Sequence, residues 1–278
     1  MLKYMSAQLI RILMKEKTLL MGILNVTPDS FHENSRALNL DCAIARGLEL
    51  CRQGADILDI GGESTRPGAD PVEEDEELLR VIPLIQALST QIPIPISIDT
   101  RRSSVAQAAL EAGATFINDV TGLEDPAMRE VVASASVDVC VMHMQGTPQT
   151  MQQNPFYPIG VVPNLLEWFE KRIHLLIQSG IKEKHIILDP GIGFGKTTED
   201  NINILNHLYV FKSLGFRVLL GTSRKTFLRK ILNKPTSELL PATLAINTLA
   251  LLAKVDILRV HDVKEHRDII DVMSRFTN

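Results

Sequence analysis

A chain of 278 residues, 45% hydrophobic and 22% charged, can bury a large core and has the length of one α/β barrel or two smaller domains. Its formal net charge of -4 and pI near 6.0 exclude bulk attraction to nucleic acid or an anionic membrane surface, so any anion it binds must be held by local groups. Cys42, Cys51 and Cys140 lie far apart without a CxxC or Cys/His cluster, which excludes a zinc motif or disulfide framework and fits a reduced, cytoplasmic setting.

Residues 1–17 mix apolar side chains with Lys3, Arg11, Lys15, Glu16 and Lys17, and lack the uninterrupted apolar core of a signal peptide. The apolar run 19–24 reads as a first strand and ends in a loop of turn formers from Asn25 to Phe31. A helical segment over about 41–52 stops at Gly54. The next strand, 57–60, has an acid, Asp59, embedded in it. Beyond it come Gly61 and Gly62, then Glu63, Ser64, Thr65 and Arg66 before Pro67 and Gly68. Polar groups packed this densely past a strand end suggest a binding loop. The acidic run 73–77 reads as a solvated helix start whose charges complement the helix dipole.

Further strands are expected over 95–99, 115–119, 138–143, 186–189, 217–221 and 256–260, and a long helix over 161–180. The run 239–253 is too short for a membrane span, carries Thr243, Asn247 and Thr248, and reads as a buried helix. In the segment from Gly191 to Lys196, the third glycine comes too early for a dinucleotide fingerprint and no phosphate-loop motif follows. It reads as a close backbone approach to a flat ligand. Eight strands alternating with helical stretches, with no linker between them, favour a closed (β/α)8 TIM barrel over an open doubly wound sheet. The expected organisation is one domain over 1–278, with a short N-terminal extension at about 1–18.

A barrel gathers its carboxyl-terminal strand ends at one mouth, which makes Asn25, Arg66, Asp99, Asn118, Asp189, Lys225, Arg259 and His261 neighbours. Taken singly, Asp99, Asp119 and Asp262 can each cap a helix, His143 can be structural, and Arg224 or Lys225 can be solvated. Taken together their types divide into two jobs. Arg66, Arg259 and His261 suit an anion near the last two strands, where the helix starting near Asp262 adds backbone NH groups. Asn25 suits a Mg2+ ion that keeps most of its water and shares a diphosphate. Asp99, Asn118 and Asp189 lie deeper, where a carboxylate can accept paired NH groups from a 2-amino-4-oxo pyrimidine edge.

Seven segments then carry a resemblance. They are 21–31 (MGILNVTPDSF), 59–68 (DIGGESTRPG), 97–100 (SIDT), 117–119 (IND), 188–196 (LDPGIGFGK), 223–225 (SRK) and 259–263 (RVHDV). In this order, from Gly22 to His266, they resemble bacterial dihydropteroate synthase. The resemblance implies a TIM-barrel transferase of folate biosynthesis that condenses 6-hydroxymethyl-7,8-dihydropterin diphosphate with 4-aminobenzoate. It also implies a Mg2+ cofactor, a homodimer and sensitivity to sulfonamides. It places Asp99, Asn118, Asp189 and Lys225 on the pterin, with Met142 and Phe194 among the substrate-binding residues, and Asn25 on Mg2+. Arg66, Arg259 and His261 are implied for the diphosphate, and Thr65, Pro67, Lys225 and Thr226 for the aminobenzoate. Asp99, Asp189, Lys225 and Arg259 are the implied catalytic set. Thr226 departs from the serine often found there but keeps the hydroxyl. Two rivals differ in chemistry. A pterin-binding methyltransferase of the same barrel type would have no diphosphate for Arg66, Arg259 and His261 to hold, and a non-catalytic pterin-binding homologue would be expected to have lost part of that set.

Overall fold

The computed structural model describes residues 17–26, 36–65 and 68–276. Its strands are β1 (Leu19–Asn25), β2 (Ile57–Gly61), β3 (Ile96–Asp99), β4 (Phe116–Asp119), β5 (Asp138–Met142), β6 (Ile186–Asp189), β7 (Arg217–Leu220) and β8 (Ile257–Val260). They pair in chain order, and β8 pairs in parallel with β1 to close the barrel. The helices around it are α1 (Arg36–Arg52), α2 (Glu74–Ser89), α3 (Ser103–Glu111), α4 (Pro126–Ala135) and α5 (Val161–Gln178). They continue with α6 (Thr198–Asn206), α7 (Leu208–Lys212), α8 (Thr226–Leu232), α9 (Leu240–Leu252) and α10 (Val263–Met273). The barrel expectation therefore holds, with no strand end displaced by more than one residue from those read in the sequence.

The strand alternation explains both the fold and the site. Successive side chains point to opposite faces, so in β2 Leu58 and Ile60 face the helices while Ile57 and Asp59 face the barrel interior. The outward set, with Ile98, Val141, Leu188, Val218 and Leu258, packs into one core with helix residues such as Leu84, Leu88, Phe169 and Phe211. The inward set makes a separate apolar floor of Met21, Ile57, Phe116, Cys140, Ile187, Leu219 and Ile257. One inward step nearer the carboxyl ends, the same strands carry Asp59, Asn118, Met142, Asp189 and Arg259. The interior thus changes from hydrocarbon to charge within two residues along the strand axis.

Two readings of helices are corrected. The acids of the first α2 turn are not uniformly solvated: Glu77 is fully buried and pairs with Arg102 in the loop after β3. Burial raises the Glu77 carboxyl above the ordinary range, against the pull of Arg102 and a hydrogen bond from Thr100. Helix α9 is buried on one face only, through Thr243, Asn247 and Ala250, whereas Leu249 and Leu252 are more than half exposed. Residues 1–16 lie outside the described residues, among which no helix is long and apolar enough to cross a membrane.

The floor should be a principal source of stability, because it closes the barrel beneath the charged layer. Phe116→Ala removes its one aromatic side chain and is expected to lower unfolding free energy by about 3–5 kcal/mol. Equilibrium urea denaturation checks this, and an unchanged midpoint would show that the floor contributes little.

Candidate active site

Above the floor, Thr65, Asp99, Asn118, Met142, Asp189, Phe194, Lys225 and Arg259 line one cleft, together with Val120, Ile192 and Gly221. Eight residues singled out in the sequence therefore meet as expected of carboxyl-terminal strand ends. Val120, Ile192 and Gly221 were not singled out, although each follows a strand end by one to three positions and the same positional rule would have found them. Asn25 ends β1 opposite Gly61 of β2. Gly61 leaves open the space between Asp99 and Asn25: a Cβ there would lie 3.6 Å from both the Asn25 Oδ1 and Asp99 Oδ2 atoms. Thr226 is exposed in the first turn of α8, and His261 follows β8 with its Nδ1 3.0 Å from Ser223 Oγ. Neither lines the cleft. Arg66 and Pro67 lie outside the described residues, as does the whole of 27–35.

The electrostatic centre is Arg259. Its Nε donates to Asp59 Oδ2 at 2.6 Å, and an Nη2 donates to Asp99 Oδ2 at 2.5 Å. Asp59 is completely buried, and it also accepts from Ser97 Oγ at 2.6 Å and Asn118 Nδ2 at 3.3 Å. Burial pushes the Asp99 carboxyl up to about 7, opposed by Arg259 and reinforced by the neighbouring acids Asp59, Glu77 and Asp119. The acids hold Arg259 charged well above its ordinary range despite burial. Sequence reasoning left Asp59 without a role, since an isolated acid in an apolar strand does not reveal its partners on β3, β4 and β8. The Arg259 guanidinium is thus bonded to one of the acids read as heterocycle-facing. At the start of α10 the Asp262 carboxylate makes no cap hydrogen bond and is paired with Arg224 at 2.5 Å.

Asp189 and Lys225 form the opposite wall. Asp189 Oδ1 accepts from the Gly191 backbone NH at 2.7 Å. Burial raises its carboxyl, while that hydrogen bond and the charges of Lys225, Arg259 and Lys196 pull it down. The Lys225 ammonium sits 4.1 Å from the Phe194 ring centroid, where the aromatic face attracts it. Burial lowers its pKa to about 8, helped by Arg259 and opposed by Asp189 and Asp99.

The loop after β6 is fixed by groups that the sequence left ambiguous. Gly191 has φ of 69°, and a Cβ there would lie 2.0 Å from the His143 carbonyl oxygen. The close approach expected of this glycine is therefore to the loop after β5, not to a ligand. Lys196 is buried and donates to the carbonyls of Phe194 at 2.9 Å and His143 at 3.3 Å, and its Nζ lies 3.0 Å from His143 Nδ1. Burial lowers Lys196 to about 7, and burial with Lys196 nearby lowers His143 to about 2. His143 is thus a neutral structural acceptor, its ring edge-on to Trp168 at 5.0 Å. Asp119 is likewise structural: it folds its own loop by accepting from the Thr121 and Leu123 backbone NH groups. On the other side of the mouth, Glu63 accepts from Arg101 and Arg102 and ties the loop after β2 to that after β3.

Residues 21–261 match the family described as pterin binding enzyme. The chain is 44% identical over 265 residues to the dihydropteroate synthase of Bacillus subtilis (strain 168), covering 95% of this chain and 90% of that one. A crystal structure of dihydropteroate synthase from Clostridium difficile in the presence of pteroic acid is 43% identical with a TM-score of 0.89, covering 94% of this chain and 97% of the other. That of Xanthomonas albilineans with 4-aminobenzoic acid is 40% identical, also with a TM-score of 0.89, and covers 94% of both chains.

The Gly191 geometry carries a prediction. Gly191→Ala forces a side chain into left-handed backbone, at a cost of about 1–2 kcal/mol, and into the His143 carbonyl. Chemical denaturation should show at least that loss, and wild-type stability would contradict the packing described between the two loops.

Proposed function

The chain belongs to the dihydropteroate synthase family of pterin-binding enzymes, and from that membership and its cleft we infer the reaction. It is a transferase that joins 6-hydroxymethyl-7,8-dihydropterin diphosphate to 4-aminobenzoate, giving 7,8-dihydropteroate and diphosphate. The observation that carries this reading is the meeting of Asp99, Asn118, Asp189 and Lys225 around one cleft. Three acceptors face a space rimmed by two cations, which suits a ring rich in NH donors that bears an anionic leaving group.

In the proposed assignment Asp189 accepts from the 2-amino-4-oxo edge of the pterin, with Asn118 and Asp99 along the same side. Its Oδ1 is already directed by the Gly191 NH, which fixes the carboxylate plane before the ligand arrives. Lys225, on Phe194, offers a donor to the ring. Met142, Val120 and Ile192 supply the apolar wall. Arg66, Arg259 and His261 are assigned to the diphosphate. As the bond from the exocyclic methylene to the diphosphate oxygen breaks, these cations stabilise charge on the departing group, and Asp99 and Asp189 stabilise positive charge left on the pterin. The aniline nitrogen of 4-aminobenzoate, placed near Thr65, Pro67, Lys225 and Thr226, then forms the new carbon–nitrogen bond and loses its proton.

Magnesium is part of the same proposal. The Asn25 Oδ1 atom lies beside the Gly61 gap and the Asp99 carboxylate, and among the described residues no cluster of three His, Cys, Asp or Glu forms a protein cage. A single amide oxygen fits an ion held mainly by water and diphosphate oxygens. Asn25 would hold it, and when bound it would add charge neutralisation to the leaving group. We further propose a homodimer acting in the folate pathway of the cytoplasm. Exposed Leu249 and Leu252 on α9 support self-association by offering apolar surface.

Turnover of the diphosphate substrate with 4-aminobenzoate and Mg2+ tests the reading, and no product would overturn it. Two further outcomes follow from the acids. Asp189→Asn turns half of a buried acceptor into a donor and should weaken pterin binding by about 2–4 kcal/mol, measured by calorimetry; wild-type affinity would contradict the assignment. Because Asp99 is raised to about 7 and acts in its ionised form, its contribution is present above that pH and lost as protonation proceeds below it. The pH profile of kcat/KM should therefore fall about tenfold per unit on its acid side, and a profile flat to pH 5 would contradict an Asp99 that titrates near 7 and acts ionised.

A further inference from the structure

Asp59 does not line the cleft, yet it is the residue on which the cleft's polar groups converge. It lies one inward step above the floor residue Ile57, is completely buried, and joins three other strands. Ser97 on β3 donates to it at 2.6 Å, Asn118 on β4 at 3.3 Å, and Arg259 on β8 at 2.6 Å. An acid in the interior of a barrel is costly unless it is paired, and this one is paired to two groups that do line the cleft.

The two pairings have directional consequences. With Nε bound to Asp59 and an Nη2 bound to Asp99, the Arg259 guanidinium plane is fixed by two carboxylates from different strands. Its Nη1 makes no hydrogen bond among the described residues. With Nδ2 of Asn118 donated to Asp59, the other face of that amide is its carbonyl oxygen, an acceptor.

We propose that Asp59 is a positioning residue for the condensation: it aims the Arg259 guanidinium at the leaving group and turns the Asn118 carbonyl oxygen toward the pterin, without touching either substrate. Its larger effect is through Arg259, whose bond is much the shorter. Asp59 also supplies part of the negative charge that keeps Asp99 reluctant to ionise. The other charged groups acting on Asp99 are Glu77 of α2, Asp119 of β4, Arg259 of β8 and Lys225 after β7. Replacing Asp59 by its neutral isostere therefore misdirects Arg259.

The test is a double-substitution cycle on the full chain, with Asp59→Asn, Arg259→Lys and both together, assayed with dihydropterin diphosphate, 4-aminobenzoate and Mg2+. The proposal rests on the synthase reading, so wild-type turnover is the first measurement and its absence overturns that reading itself. With the wild type active, Asp59→Asn should lower kcat by about 30-fold or more, yet by less than about threefold in the Arg259→Lys background, where no guanidinium remains to be aimed. Ser97→Ala keeps the charge and removes only the hydroxyl holding Asp59, so it gives a smaller version of the test: about a fivefold loss of kcat that likewise disappears with Arg259→Lys. Additive losses in both cycles would overturn the positioning role while leaving the synthase reading intact.

Discussion

The site depends on a single guanidinium held inside a barrel between two acids. Arg259 reaches Asp59 and Asp99 across the interior, and each of these groups would be prohibitively costly in that place without the others. The strand alternation makes the arrangement possible. It sets an apolar floor of Ile57, Phe116, Ile187 and Ile257 directly beneath the charged layer, which excludes water from below and leaves the charges open only toward the mouth. Pairing also makes the acids and Arg259 one electrostatic unit, so the groups assigned to the anion and those assigned to the heterocycle cannot be perturbed separately.

Around this unit the loops are fastened by buried polar contacts of their own. Lys196 ties the β6 loop to the β5 loop at His143, and Gly191 permits the contact that brings its own NH onto Asp189. Asp119 closes the β4 loop, Glu63 joins the β2 loop to Arg101 and Arg102, and Thr222 in the β7 loop donates to Asn247 of α9 at 2.7 Å. Such contacts hold the cleft-lining residues in place before a ligand is present. A reaction whose catalysis rests on pre-placed charge requires this more than it requires any one strong acid or base.

Much of this was legible in the sequence because it lies in local patterns. Apolar runs ending in Asp99, Asn118, Asp189 and Arg259 announce parallel strands with functional ends, and the barrel then brings those ends together. What was not legible depends on pairings across the interior. Asp59 looks like a lone acid in a buried strand, and Glu77 like one of several solvated acids, until Arg259 and Arg102 are seen beside them. The bond from Arg259 to Asp99 was hidden for the same reason. The glycines of the β6 loop were correctly read as permitting close approach, but one sequence cannot say whether ligand or backbone does the approaching.

In the proposed reaction, recognition of the pterin and of its diphosphate is joined through Arg259. A crystal structure with the intact diphosphate substrate, Mg2+ and a non-reacting aminobenzoate analogue tests this most directly. The account predicts a pterin ring bonded to Asp99, Asn118 and Asp189, and a diphosphate within hydrogen-bond distance of Arg259 while the Arg259 Nε bond to Asp59 persists. A diphosphate bound away from Arg259, or an Arg259 released from Asp59 to reach it, would contradict that account.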